Sequence, residues 1–212
     1  LIPRPETELI IEQILKILPK KSKKNILEIG TGSGCIAISL IRERPNCRIV
    51  AIDKCLKAIK VAKKNAEIHQ VGKKINFINI DVDKYFSNKY DLIISNPPYI
   101  KNSELLSLDK DVKLNEPKIA LSGGFSGLDI FLKIINKCQQ LLKNNGMLVL
   151  EIGQNQGKEL RKYLSTKGFN QTKIYKDISG KDRCLISVKS VWLIILKIIT
   201  EEIDLGLIVI EI

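Results

Sequence analysis

Apolar residues alternate along the chain between two patterns: short continuous runs, and longer stretches in which they recur every three or four positions. Continuous runs bounded by glycine or polar residues are typical of buried strands, whereas the wider spacing is typical of amphipathic helices. The runs predict strands at residues 26–29, 49–52, 75–80, 92–95, 147–152, 172–176 and 184–188. The wider spacing predicts helices at residues 6–18, 36–43, 56–68, 128–142 and 158–167, and Thr7 is expected to cap the first.

Strands alternate with helices through most of this order, which predicts an α/β fold: a mainly parallel seven-stranded sheet with helices on both faces. In such a sheet, ligands bind beyond the carboxyl ends of the strands. The first four strands are followed by the polar segments 30–34, Asp53, Asp81 and Asn96. We therefore expect these segments to meet in one crevice.

The composition is that of a single soluble domain. With 212 residues, 44% of them hydrophobic, the chain can bury one core. Its apolar run at 191–196 is too short to cross a bilayer, so no membrane partner is expected. The cysteines are scattered without a C-x-x-C pair, which argues against a disulfide framework or a metal site and favours a reducing cytoplasm; they are Cys35, Cys47, Cys55, Cys138 and Cys184.

The formal charge of +12 raises the question of an acidic partner. Lysines gather at 20–24 and again between 54 and 64, where they recur at helical spacing. This spacing favours the solvated face of a helix over a nucleic-acid patch. The only histidine, His69, follows the same helix and lies far in sequence from every strand end, which argues against a Ser-His-Asp hydrolase.

The turn after the first strand is rich in glycine. Gly30, Gly32 and Gly34 form a G-x-G-x-G pattern with Glu28 two residues before it, and Cys35 stands where a dinucleotide fingerprint has Gly or Ala. The pattern resembles the first motif of S-adenosylmethionine-dependent methyltransferases. Such a turn lets a cofactor approach the backbone and offers it the N–H groups of a helix N-terminus. The alternative is a structural glycine turn.

Two aspartates follow the next strands. Asp53 can accept hydrogen bonds from ribose hydroxyls, or it can cap the helix that begins near residue 56. Asp81 can accept a hydrogen bond from an adenine amino group, or it can be an ordinary turn residue. Both alternatives stay open from the sequence.

The fourth strand ends at Asn96-Pro97-Pro98-Tyr99. Proline fixes its own φ and restricts the residue before it, so this corner is stiff. The Asn96 side-chain oxygen and the Pro97 carbonyl can each accept one hydrogen of a planar NH2 group, and the Tyr99 ring can cover its plane. The corner therefore predicts a site that holds an amide or a nucleobase amino group, and a plain proline turn is the alternative.

Further motifs occur in a fixed order around this corner. They are Pro3-Arg4-Pro5-Glu6-Thr7-Glu8, Glu116-Pro117 with Ala120-Leu121, Gly123-Gly124 with Gly127-Leu128, and Glu151-Ile152-Gly153 with Gln156-Gly157. With them, residues 1 to about 188 resemble the release factor glutamine N5-methyltransferases, a family of Rossmann-like class I enzymes. The resemblance implies that S-adenosylmethionine methylates the Gln of the Gly-Gly-Gln loop in peptide chain release factors, its partners.

The resemblance also implies roles for individual residues. The substrate amide is expected at the catalytic corner, Asn96, Pro97, Pro98 and Tyr99, and the cofactor at Glu28, Gly30, Thr31, Gly32, Ser33, Gly34, Asp53, Asp81, Val82 and Asn96. No metal is expected. Many relatives have a large aromatic residue where this chain has Val82, so Tyr85 or Phe86 is a candidate for stacking on adenine.

The chain departs from this family at both ends. Relatives carry a helical N-terminal docking domain that does not precede Leu1 here, so a trimmed catalytic domain over residues 1–189 is expected. Residues 190–212 are an additional helix and strand, the start of a fused domain, or a remnant. Three functional alternatives are kept: a methyltransferase acting on adenine N6 or guanine N2, a non-catalytic cofactor-binding remnant, and, less favoured, a dehydrogenase.

Overall fold

We describe residues 5–107, 117 and 120–190 of a computed structural model. Pro3, Arg4, Glu116 and residues 191–212, which carried sequence-based expectations, lie outside this part of the chain. The described strands are β1 (Asn25–Ile29), β2 (Arg48–Asp53), β3 (Ile75–Asn79), β4 (Tyr90–Ser95), β5 (Leu142–Glu151), β6 (Phe169–Lys176) and β7 (Asp182–Lys189). The described α-helices are α1 (Pro5–Ile17), α2 (Cys35–Glu43), α3 (Leu56–Ile68), α4 (Asp129–Leu141) and α5 (Gly157–Thr166).

The strands form one sheet in the order β3-β2-β1-β4-β5-β7-β6. β1 pairs in parallel with both β2 and β4, and the pairs β2–β3 and β4–β5 are also parallel. β7 lies antiparallel between β5 and β6. The predicted α/β fold with a mainly parallel seven-stranded sheet is confirmed.

Helices cover both faces of the sheet, and the alternation of side chains along the strands divides the core in two. One face of the sheet packs on α1, α2 and α3 through residues such as Ile26, Ile94 and Val149. The other face packs on α4 and α5 through Leu27 and its equivalents. Because strand side chains alternate between faces, Glu28 and Glu151 project from the face that carries α1.

The strand order reverses between the neighbouring strands β1 and β4. After β1 the chain continues to β2 on one side of the sheet, and after β4 it continues to β5 on the other side. Ile29, the last residue of β1, lies opposite Ser95, the last residue of β4. A crevice opens at such a reversal because the two following loops separate. The glycine turn and the Asn-Pro-Pro-Tyr corner are therefore brought side by side.

Some local expectations differ from the structure, and β6 is one of them, since it begins earlier than predicted, at Phe169. Thr7 lies in the first turn of α1, which already includes Pro5, so it does not cap the helix from outside. β5 begins earlier than predicted, at Leu142, because Tyr90 of β4 pairs with Leu142 before an irregularity in the register. The lysines between 54 and 64 are exposed, as a solvated helix face requires, and so is His69.

Candidate functional site

A cavity of about 260 Å³ lies at the carboxyl ends of the central strands. Residues singled out from the sequence that line it are Glu28, Gly30, Thr31, Gly32, Ser33, Asp53, Asp81, Val82, Asn96, Pro97, Pro98 and Tyr99. Of the residues expected at the cofactor, Gly34 is not part of the lining. The structure thus brings both halves of the predicted site to one cavity.

The glycine turn has two kinds of glycine. Gly30 has φ +75°, and a Cβ built on it would meet no atom within 4 Å, so its backbone faces open space. Gly34 has φ +81° immediately before α2, and a Cβ there would lie 3.1 Å from Cβ of Ala62. Left-handed backbone of this kind strongly favours glycine. Gly30 therefore keeps the cavity accessible, whereas Gly34 lets α2 start close against α3.

Glu28 is buried at the base of this turn. Its Oε2 accepts a hydrogen bond from Thr31 Oγ1 at 2.7 Å, and the Ala37 backbone N–H also donates to the carboxyl group. Burial nevertheless raises the pKa of Glu28 to about 8, since the loss of solvation outweighs these hydrogen bonds. Glu28 is therefore mostly protonated near neutral pH in the protein alone.

Asp53 joins two segments at the end of β2. Its Oδ2 accepts a hydrogen bond from the Gly32 backbone N–H at 2.9 Å, and its Oδ1 accepts one from the Cys55 N–H at 2.8 Å. The residue that directly precedes α3 is Cys55, which makes no side-chain cap. Asp53 thus forms a turn ahead of the helix and holds the glycine turn in place, with its carboxylate on the cavity wall.

Asp81 begins a short 3-10 helix, Val82–Lys84. Its Oδ1 accepts a hydrogen bond from the Asp83 N–H at 3.0 Å and lies 3.2 Å from Nζ of Lys133. The hydrogen bond from the Asp83 N–H lowers the pKa of Asp81 most, and the Lys133 ammonium lowers it further, so this pKa lies below its usual range. The turn role considered from the sequence is present, and the same side chain lines the cavity.

The wall next to Asp81 is aliphatic. Val82 lines it together with Ile80, Ile130 and Ile134. Tyr85 is buried, and its hydroxyl lies 2.5 Å from the Tyr90 hydroxyl. Phe86 is 78% exposed beneath the Lys137 ammonium. Neither aromatic residue lines the cavity, so neither takes the place expected for a ring stacked on adenine.

The Asn-Pro-Pro-Tyr corner is held from several sides. Ser95 Oγ donates to the Ile29 carbonyl at 2.8 Å, which ties the end of β4 to β1. Asn96 Nδ2 donates to Thr7 Oγ1 at 3.2 Å. Gln156 Nε2 donates to the Tyr99 carbonyl at 3.1 Å and to the Gly127 carbonyl at 3.0 Å. The corner is thus fixed before a substrate binds.

Sequence reasoning missed three side chains of this region as site residues. Thr7 and the buried Glu151 both line the cavity, and Lys133 reaches it from α4. Thr7 and Glu151 lay in motifs that carried the family resemblance, but no local pattern shows that they contact Asn96 or each other. Lys133 lay on the helix predicted at residues 128–142, and nothing in the sequence distinguished it from the other lysines.

The remaining polar chemistry is sparse. Among the residues that the structure describes, no group of three or more His, Cys, Asp and Glu could hold a metal ion. Burial raises the pKa of Cys35 to about 11, so this thiol on the cavity wall stays protonated at neutral pH. None of the described helices is long and apolar enough to cross a membrane.

The strand order with an antiparallel β7, together with a glycine turn beside an Asn-Pro-Pro-Tyr corner, is that of a Rossmann-like methyltransferase. A family model described as "Methyltransferase small domain" matches residues 7–109. The chain is also 40% identical over 193 residues to a release factor glutamine methyltransferase of Thermodesulfovibrio yellowstonii, covering 90% of this chain and 69% of that protein. The relative of the same name in Lactococcus lactis is 44% identical over 190 residues, covering 89% and 69%.

The chain belongs to the release factor glutamine methyltransferase family. It spans about two thirds of the length of these relatives. A solved structure described as a release factor-specific protein-(glutamine-N5) methyltransferase, from Alicyclobacillus acidocaldarius, superposes with a TM-score of 0.54 at 23% identity, covering 89% of this chain and 94% of that one. This likeness supports the fold.

Proposed function

We propose that the chain transfers a methyl group from S-adenosylmethionine to the side-chain amide nitrogen of the Gln in the Gly-Gly-Gln loop of peptide chain release factors. The observation that carries the proposal is the orientation of Asn96: its Nδ2 is used by Thr7, which leaves Oδ1 to accept a hydrogen bond in the cavity. The family's name supports a release factor as the substrate, and such a substrate would place the reaction in the cytoplasm.

The cofactor half of the cavity suits S-adenosylmethionine. The open backbone at Gly30 and the N-terminus of α2 suit its carboxylate, and the Asp53 carboxylate suits its ribose hydroxyls. Asp81 and the aliphatic wall at Val82 suit an adenine ring. When bound, this cofactor supplies a methyl group made electrophilic by a positively charged sulfur.

The substrate half addresses the weakness of an amide as a nucleophile, whose lone pair is delocalised into the carbonyl. Asn96 Oδ1 and the Pro97 carbonyl would accept the two amide hydrogens and favour a pyramidal nitrogen. Tyr99 would pack on the plane of the amide. Transfer would form an N–C bond as the S–C bond of the bound cofactor breaks, and the methylated nitrogen would then lose one proton to solvent.

The proposed catalytic domain comprises residues 1–189. The core and cavity described above lie within it.

The test is methyl transfer from isotopically labelled S-adenosylmethionine to purified release factor, the same factor with the Gly-Gly-Gln glutamine replaced by Ala, and RNA and DNA. Label in the intact factor alone supports the proposal. Label in nucleic acid would instead support the amino-group methyltransferase alternative. Cofactor binding in calorimetry without label in any of these substrates would support the non-catalytic cofactor-binding remnant.

Asn96→Ala should lower kcat by at least about 100-fold, because it removes an acceptor aimed at the reacting group. Much of the cofactor affinity, measured by calorimetry, should remain. Asn144→Ala is the matched control and should retain full activity. Asn144 is exposed and lies near the amino end of β5, whereas the cavity lies at the carboxyl ends of the strands. Undiminished turnover in Asn96→Ala would overturn the role of the corner.

A further inference from the structure

Thr7 is the centre of a hydrogen-bond chain that the described activity does not account for. Its Oγ1 donates to Oε2 of Glu151 at 3.1 Å and accepts from Nδ2 of Asn96 at 3.2 Å. Thr7 is 5% exposed and Glu151 is 1% exposed. The partners lie 89 and 144 residues away from Thr7 in the sequence. This hydrogen-bond chain therefore links α1, β5 and the corner after β4.

The polarity of this chain determines which end of the Asn96 amide meets a ligand. A hydroxyl has one hydrogen to donate, and here it goes to the Glu151 carboxylate. The Thr7 oxygen can then only accept, so the neighbouring amide must present Nδ2 rather than Oδ1. The opposite orientation of the amide would place two acceptors against each other. Glu151 thus sets the orientation of Asn96 through Thr7.

Thr7 itself has a fixed position. α1 buries Ile10 and Ile14 against the sheet. At the other end of the helix, the buried Arg44 donates from Nε to the Leu18 carbonyl at 2.6 Å and from a terminal nitrogen to the Leu15 carbonyl at 2.8 Å. A hydroxyl on a helix anchored in this way is a rigid partner, since little side-chain freedom is left to lose.

We propose that Thr7 and Glu151 are positioning residues that hold the Asn96 amide with its oxygen toward the substrate amide. The expected effect on kinetics rests on the proposed function, whereas the orientation of the Asn96 amide does not. Without these hydrogen bonds, the Asn96 amide can rotate and present its donor, Nδ2, to the substrate NH2 group, which is itself a donor. Substrate would still bind, but the reactive geometry would be populated less often.

Thr7→Val and Thr7→Ser separate the hydroxyl from the shape of the side chain. Thr7→Val keeps the branched volume and removes both hydrogen bonds, so kcat should fall about tenfold or more with the KM for release factor and the affinity for S-adenosylmethionine nearly unchanged. Thr7→Ser keeps the hydroxyl and should restore most of the turnover. Equal kcat in Thr7→Val and the unaltered protein would overturn the proposal, as would equal losses in both variants.

A spectroscopic measurement tests the orientation without any turnover. The side-chain NH2 resonances of Asn96, assigned through their loss in Asn96→Asp, should shift in Thr7→Val and return toward their original positions in Thr7→Ser. Glu151→Gln, which can donate or accept, should also perturb them. Resonances that do not respond to Thr7→Val would contradict the hydrogen bond and with it the proposal.

Ser187→Ala is the matched control for loss of a buried hydroxyl. Ser187 is fully buried on β7, and its Oγ donates to the Asn170 carbonyl at 3.0 Å, away from the cavity. This variant should lose thermal stability without losing kcat, whereas a purely structural role for Thr7 would make the two variants alike. If the unaltered protein methylates no release factor, the proposed function fails, and the NMR result still decides the orientation of Asn96.

Discussion

Glu28 shows how burial changes the chemistry of a single residue that the sequence already marks. A carboxyl group before a glycine turn suggests a negative charge beside the cofactor. In the folded protein, burial raises its pKa to about 8 from a usual value of 4.5. The residue type was predictable, but its protonation state was not, because desolvation depends on what packs around it.

Glu28 should make the free energy of unfolding depend on pH in a defined direction. The folded state keeps a proton on Glu28 that the unfolded chain releases, so this group's contribution is fully present below about 4.5 and is lost as pH rises toward about 8. Glu28→Gln imitates the protonated form and should remove this loss. Chemical denaturation of both proteins across this pH range should show the variant gaining relative stability toward pH 8, by up to a few kcal/mol.

The difference between the two proteins is the informative quantity, since other carboxyl groups titrate in both. Asp81 and Asp91 have lowered pKa values, so their contributions are lost at acid pH instead. A constant difference across the range would show that Glu28 is not buried as a neutral acid.

At the scale of elements, Gly123 is required by close contact between two loops, the one that follows β4 and the one that precedes α4. The Gly123 N–H donates to the Ile100 carbonyl at 2.8 Å, and Ile100 N–H donates to the Leu121 carbonyl at 3.1 Å. A Cβ on Gly123 would lie 2.7 Å from Cα of Tyr99 and 2.8 Å from the Gly127 carbonyl oxygen. Both obstacles are backbone atoms, so neither can move aside by changing a rotamer.

Gly123→Ala should therefore displace Tyr99 or the facing loop, lowering kcat about tenfold or more and stability by about 1–3 kcal/mol. Gly146→Ala is the matched control. Its Cβ would lie 2.9 Å from the Lys143 carbonyl oxygen, and Gly146 is remote from the carboxyl ends of the strands, where the cavity lies. Steady-state kinetics and thermal denaturation of both variants are the measurements. Loss of stability in both with loss of kcat only in Gly123→Ala is expected; full activity in Gly123→Ala would contradict the packing argument.

Elements were largely predictable from the periodicity of apolar residues, and their order in the sheet was less so. Each predicted strand and helix has a counterpart, from Asn25–Ile29 to Asp182–Lys189. The insertion of β7 between β5 and β6 leaves no mark in the sequence pattern, because both β6 and β7 are simply strands that can pair at an edge.

At the scale of the whole molecule, an exposed apolar surface lies beside the corner at residues 96–99, where we propose that the substrate amide binds. Phe125 is 90% exposed and Leu106 is 85% exposed. Asn102 N–H donates to the Gly124 carbonyl at 2.9 Å, which joins the short 3-10 helix bearing Leu106 to the loop bearing Phe125. The Phe125 N–H donates to Oδ2 of Asp129 at 2.7 Å, which holds its loop in place. Large exposed apolar side chains next to a substrate site are suited to a protein partner.

Phe125→Ser should raise the KM for release factor several-fold, because it removes an apolar anchor from the docking surface that we propose at Leu106 and Phe125. The affinity for S-adenosylmethionine and the free energy of unfolding should stay unchanged, since the ring buries little area. Ile178→Ser removes an equally exposed apolar side chain from the turn between β6 and β7 and is the control. Kinetics with intact release factor are the measurement; equal KM values in both variants would remove Phe125 from the docking surface.

The sequence by itself determined the elements, the α/β class and the residues that follow the central strands, because these depend on local periodicity and on turn chemistry. It also predicted an amide-binding corner at Asn96, since the Asn-Pro-Pro-Tyr turn is stiff and carries acceptors for a planar NH2 group. Only the tertiary structure decided how Asn96 is oriented, that Glu28 is a neutral acid, and that Thr7 and Glu151 belong to the same hydrogen-bond chain. Hydrogen-bond polarity and desolvation arise between residues that are distant in the chain, and no local pattern can record them.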